Sequence, residues 1–233
     1  MEAAHTKGVE CLELERYGSE VCHIASIPLE ALKDYLKCED LKECGGLVQS
    51  AFLLRGISYK SLNELASACN LPLLQEGPRA TELRILEALG AKTFSEAREK
   101  ILELSSDFKY IEDTVNRLFV VPQGKITETL DKYCLKFGLN LNDEFCEMAL
   151  MNEFFYFQAL VRFVECRANG NALPTCEYLL PKSLRVEGVL ALKLDDLECL
   201  EKVAMKPEVS EETREVVRAI LSLIERKYGV VLP

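Results

Sequence analysis

Gln49-Ser50-Ala51-Phe52-Leu53-Leu54-Arg55-Gly56 is an apolar run closed by an arginine and a glycine. Its continuous hydrophobicity predicts a buried helix over residues 47–54 that stops at Arg55-Gly56, because glycine commonly follows the last helical turn. The same order of features returns downstream, where Gln158-Ala159-Leu160-Val161-Arg162-Phe163 again ends an apolar run in an arginine. A short polar stretch, a leucine-proline turn and a leucine-periodic segment follow each run. In the first copy these lead through Leu71-Pro72 to residues 83–89 and 94–104. In the second they pass through Asn169-Gly170 and Tyr178-Leu179-Leu180-Pro181 to residues 184–192 and 195–203. Val216-Val217-Arg218 starts a third copy. Repetition of this kind is the signature of stacked supersecondary units, and the expected fold class is all-α, built from repeated helical units. The expected divisions are residues 1–106, 107–205 and 206–233, the last a truncated third unit.

Most of the surrounding sequence reads as helix. Leu62 and Leu65 lie at helical spacing in residues 58–69, and Leu83, Ile85, Leu86 and Leu89 recur in residues 81–89. Thr93 followed three positions later by Glu96 is a capping box, and Phe94, Ala97, Ile101 and Leu104 continue from it with helical periodicity. Residues 105–107 read as a linker, and residues 118–121 as a turn or brief strand. Further helices are expected at 28–37, 125–137, 141–167, 190–205 and 210–228, with Phe154-Phe155-Tyr156-Phe157 buried at the centre of one of them. Ser210 and Thr213 are cap-like, and Glu211 and Glu212 suit the positive end of a helix dipole. Residues 8–26 follow no single period.

Charge narrows the function classes. The chain of 233 residues carries a net charge of −10, which opposes general nucleic-acid binding, a task for clustered lysine and arginine. No apolar stretch is long enough to span a bilayer, and the N-terminus lacks a secretory layout, so a cytoplasmic protein is expected, peripheral on a membrane only through partners. The ten cysteines contain no CxxC pair, which argues against a zinc site. Burial as small core residues is one reading of them; disulfides, which occur in hyperthermophile cytosol, are the other. His23 adjoins Cys22, but neighbouring residues in a helix or strand do not face each other. Without a nucleophile–base pair, metal cluster or phosphate loop, the expected protein is non-catalytic and needs no cofactor.

The order of the repeated unit resembles a family of central-stalk proteins of the rotary ATPases, shared by the archaeal A-type and the eukaryotic V-type machines. The resemblance rests on residues 153–203: Glu153 nine positions before Arg162, the turn Tyr178-Leu179-Leu180-Pro181, and the acidic start Asp195-Asp196-Leu197-Glu198. It implies a pseudo-threefold, funnel-shaped helical body. It also implies a central-stalk role in proton transport, with the ATPase shaft subunit and the proteolipid ring as partners. Arg55, Glu153, Arg162 and Arg218 are then the structural or partner-contact candidates. The arginines would either brace the interior of each unit or sit at the surface of helix ends. An unrelated helical protein–protein interaction module, and a cysteine-dependent enzyme, are the competing readings.

Overall fold

The computed structural model describes residues 9–24, 50–121, 152–193 and 196–228. The helices expected at 28–37 and 125–137, and the first part of the one expected at 141–167, lie outside the described residues. In chain order the elements are β1 (Glu10–Leu14), β2 (Ser19–Ile24), β3 (Ser50–Ser58), α1 (Tyr59–Cys69), β4 (Leu73–Gln75), α2 (Pro78–Ala88), α3 (Phe94–Leu104) and α4 (Phe108–Leu118). There follow α5 (Asn152–Ala168), α6 (Leu173–Cys176) with a 3-10 turn at Glu177–Leu179, β5 (Arg185–Leu192), α7 (Leu197–Met205) and α8 (Glu211–Tyr228).

The fold is therefore mixed α/β, which overturns the all-α expectation. The five strands form one sheet in the order β1-β2-β3-β5-β4. The apolar run at residues 50–54 belongs to its middle strand and is not a helix. A strand buried on both faces shows no alternation, so periodicity cannot distinguish it from a buried helix. In β3, Ser50, Ala51, Phe52 and Leu54 are all buried. Gly56, at φ +67°, does not end a helix. It adopts a left-handed conformation within the strand, shifting the alternation so that Ile57 is also buried, as a bulge does. Residues 10–24, which follow no single period, form an antiparallel hairpin in which Leu12 faces Val21, turning at Gly18 with φ +59°.

The chain divides into two compact units. One comprises residues 1–76 and 186–233, the other residues 77–185. In the first unit α1, α7 and α8 bury Leu62, Leu65, Leu200, Val217, Ile220 and Leu223 against Val21, Phe52, Leu54 and Leu190 of the sheet. Gly188 of β5 permits this approach: a Cβ there would stand 3.2 Å from Leu62 and Leu73 methyls. The register Leu73↔Leu190 places β4 antiparallel on β5. A disulfide joins Cys69 at the end of α1 to Cys199 of α7.

The second unit is helical. Its core gathers Ile85, Ala97, Ile101, Ile111, Val115, Phe157, Leu160 and Phe163 from α2 to α5. Of the aromatic run expected to be buried, Phe157 is fully so, whereas Phe155 is 50 % exposed. Thr93 caps α3, its hydroxyl accepting the Glu96 N–H at 3.2 Å, as the capping box predicts. The residues read as a linker form a tight turn instead, and Asp107 accepts the N–H groups of Lys109 and Tyr110 at the start of α4. The expected brief strand reduces to one bridge, Phe119 to Leu184. Arg167 and Glu82 pair at 2.6 Å, and Cys166 is bonded to Cys176.

The repeat does not survive as a structural repeat. Arg55 stands in a strand of the first unit and Arg162 in a helix of the second. The segment at 184–192, expected to be the second copy's helix, is mostly β5. Short apolar runs flanked by charges recur in strands and helices alike, so the echo records composition and not duplicated architecture.

Candidate functional site

The densest polar cluster among the described residues lies in the first unit, where α1 and α8 both begin. Ser58 precedes α1 with extended backbone, and its hydroxyl accepts the Ser61 N–H at 3.0 Å, the normal role of an N-cap serine. Glu212, from the first turn of α8, completes that cap from outside. Its carboxylate accepts the Ser58 N–H at 2.9 Å, the Ser58 hydroxyl at 2.5 Å and the Ser61 hydroxyl at 2.7 Å. The arrangement is reciprocal. Ser210 caps α8 by accepting the Thr213 N–H at 3.3 Å, and Glu64 of α1 accepts from the Ser210 N–H at 3.2 Å and from the Ser210 and Thr213 hydroxyls at 2.7 Å each. Each helix thus supplies the acid that closes the other's amino end.

Glu212 and Thr213 are buried at 7 % and 0 % exposure, so their polar atoms need partners inside the protein. Burial pushes the Glu64 carboxyl up. The hydrogen bonds from Ser210 and Thr213, with Lys60 alongside, outweigh that and hold it below the ordinary value. Chemically the cluster is a clamp. The Ser58 hydroxyl proton is committed to Glu212, and the hydroxyl oxygen already accepts from Ser61. The lowered Glu64 value has a consequence for stability: its contribution is present above the unfolded carboxyl value of about 4.3 and is lost as pH falls through the lower folded value. Glu64→Gln is therefore expected to melt below wild type near neutral pH, with the gap closing as pH falls below the ordinary carboxyl value. Melting curves across that range check it, and a gap independent of pH would contradict it.

A second buried polar pair sits on the sheet. His23 Nε2 lies 3.2 Å from the Ser50 hydroxyl, and its ring meets Phe52 edge-on at 5.0 Å. Cys22, adjacent in sequence, points to the opposite face and is bonded to Cys11.

The sequence-derived candidates are dispersed. Arg55 is half exposed on β3 and pairs with Glu20 at 3.2 Å. Arg162 on α5 and Arg218 on α8 are both exposed. Glu153 is in the first turn of α5. The clamp acids Glu64 and Glu212 were not among them. Ser210, Thr213 and Glu212 are legible as helix-start residues, but nothing local reveals that Glu212 serves a helix 154 positions away. No described helix is long and apolar enough to cross a membrane.

No family model matches the chain, and neither does any curated protein. Solved structures do. One is the flavin-dependent thymidylate synthase ThyX of Helicobacter pylori complexed with FAD and dUMP, 13 % identical, with a TM-score of 0.51 over 86 % of this chain and 81 % of that one. Another is thymidylate synthase X of the same organism, also with FAD and dUMP, 12 % identical, with a TM-score of 0.49 over 85 % and 79 %. At such identity the first match establishes a shared fold. With the five-stranded sheet it overturns the central-stalk expectation, including its shaft and proteolipid-ring partners, the helical-module alternative, and the inference of a non-catalytic protein from an all-α repeat.

Proposed function

We propose that this chain is an enzyme of the flavin-dependent thymidylate synthase type, binding FAD and a uridine nucleotide such as dUMP. The observation that carries the reading is the extent of the likeness: a mixed fold follows a synthase crystallised with those ligands through most of both chains. Fold-level analogy of this kind sets the expectation, and the site must supply the chemistry.

Both ligands carry phosphate, which binds to unsatisfied N–H donors and cations. The amino end of α1 does not suit it, because the Glu212 carboxylate already holds the Ser58 N–H there. Arg214, in the first turn of α8, does suit it. Its Nε is buried with no hydrogen-bond partner among the described residues, and an anion would satisfy it. Arg214 would hold the phosphate of the nucleotide or of FAD, and bound flavin would supply the redox chemistry. A nucleotide substrate is compatible with a cytoplasmic activity.

Flavin fluorescence and calorimetric titration with FAD and dUMP test the reading. Saturable binding of both is expected, and Arg214→Ala should weaken at least one by about tenfold or more, the value of a charge-assisted hydrogen bond. If neither ligand binds the folded chain, the reading fails.

A further inference from the structure

The face of the β1–β2 hairpin turned away from the core carries a set of side chains unrelated to the clamp. Leu12, Leu14, Val21, Phe52 and Leu54 pack into the core, so alternation sends their neighbours to the other side. There, one cross-strand row reads Glu13, Glu20, Arg55, and the next reads Cys11, Cys22, Leu53. The two sulfurs and a Glu20 carboxylate oxygen lie within 4.8 Å of one another. Two carboxylates placed directly opposite, Glu13 and Glu20, disfavour the pairing unless a cation offsets them. Arg55, 3.2 Å from Glu20, offsets one charge.

In the structure Cys11 and Cys22 are bonded to each other, so their sulfurs are not available as thiolates. Cys11 is exposed, whereas the five other cysteines in described bridges are half-buried or buried. A dithiol reductant therefore has its readiest access here. It breaks the Cys11–Cys22 bond, passes two electrons and two protons, and is itself converted to a disulfide. The face would then present two thiols beside a carboxylate.

The geometry points to a redox-gated cation site: after reduction, Cys11, Cys22 and Glu20 bind a divalent ion of the zinc type. Two sulfurs and one carboxylate oxygen make a set that zinc accepts, with water in the fourth position. Binding releases two protons from the thiols to solvent. Two thiolates and one carboxylate around a divalent ion leave one negative charge, which the Arg55 guanidinium neutralises. The absence of a CxxC pair from the sequence does not count against such a site. Strands bring Cys11 and Cys22 together by register, at eleven residues' separation.

The full-length chain tests this. Stepwise treatment with a phosphine reductant, followed by alkylation and peptide mass analysis, should label Cys11 and Cys22 first. At that stage zinc, measured by dialysis and competition with a chromogenic chelator, should bind at one equivalent per chain. The oxidised chain and the Cys11→Ser/Cys22→Ser double variant, which keeps the other bridges, should not take up that equivalent. Cobalt in place of zinc should give thiolate-to-metal charge-transfer absorption, and Glu20→Gln should weaken binding about tenfold or more. Circular dichroism on each sample verifies the fold. Labelling of Cys69, Cys199, Cys166 or Cys176 before Cys11 and Cys22 would overturn the proposal, as would equal zinc uptake by the reduced wild type and the double variant, or loss of the fold on reduction of this bridge alone.

Discussion

Glu212→Ala is expected to destabilise the protein by about 3–5 kcal/mol, the cost of leaving several buried donors without their acceptor. The substitution removes the acceptor of three donors at once: the Ser58 N–H, the Ser58 hydroxyl and the Ser61 hydroxyl. The cavity left by the side chain is small beside that loss, because buried donors without partners cost about 1–3 kcal/mol each. The carboxylate also sits at the positive end of α1, where a negative charge is favoured. For a chain of this length the expected drop in Tm is about 10 °C, at roughly 2–4 °C per kcal/mol. Ser58→Ala should cost less, about 1–2 kcal/mol, since Glu212 keeps its bond to Ser61 while a cap is lost. A double-mutant cycle between the two positions should show strong coupling, because they share a hydrogen bond. A Tm for Glu212→Ala within about 2 °C of wild type, in the range of ordinary surface changes, would refute the clamp as a stabilising device.

Removing the Cys69–Cys199 disulfide is expected to cost as much. The bridge closes a loop of 130 residues, and the chain-entropy relation assigns such a loop about 5 kcal/mol. The Cys166–Cys176 bridge, with a separation of only 10, should be worth roughly 3 kcal/mol by the same relation. Urea unfolding of Cys69→Ser/Cys199→Ser and Cys166→Ser/Cys176→Ser, each with the remaining bridges oxidised, checks the order. The long-loop variant should have the lower midpoint. Equal midpoints, or the reverse order, would show that loop length does not set the contribution of these bridges.

The elements legible in the sequence are those whose signals are local. Leu62 and Leu65 mark α1, Thr93 and Glu96 start α3, and Ser210 with its leading acids starts α8, because 3.6-residue periodicity and caps are written within a dozen positions. The strands are not legible, for the opposite reason. Phe52, Leu54, Leu190 and Leu192 are buried in neighbouring strands of the sheet, and a strand enclosed on both sides has the same unbroken hydrophobicity as a buried helix. The helix-like hydrophobicity of these two strands is the source of the apparent repeat, and so of the resemblance to the central-stalk family.

The site divides in the same way. That Ser58, Ser210 and Thr213 stand at helix starts, that Glu212 suits a helix amino end, and that Cys22 and His23 face apart all follow from spacing along one segment. That Glu212 closes α1 and Glu64 closes α8, that Cys11 meets Cys22 and Cys69 meets Cys199, and that His23 meets Ser50 depend on strand register and helix packing. Those arrangements join residues from 11 to 154 positions apart. Local chemistry sets which groups need a partner; only the packed fold sets which partner each one receives.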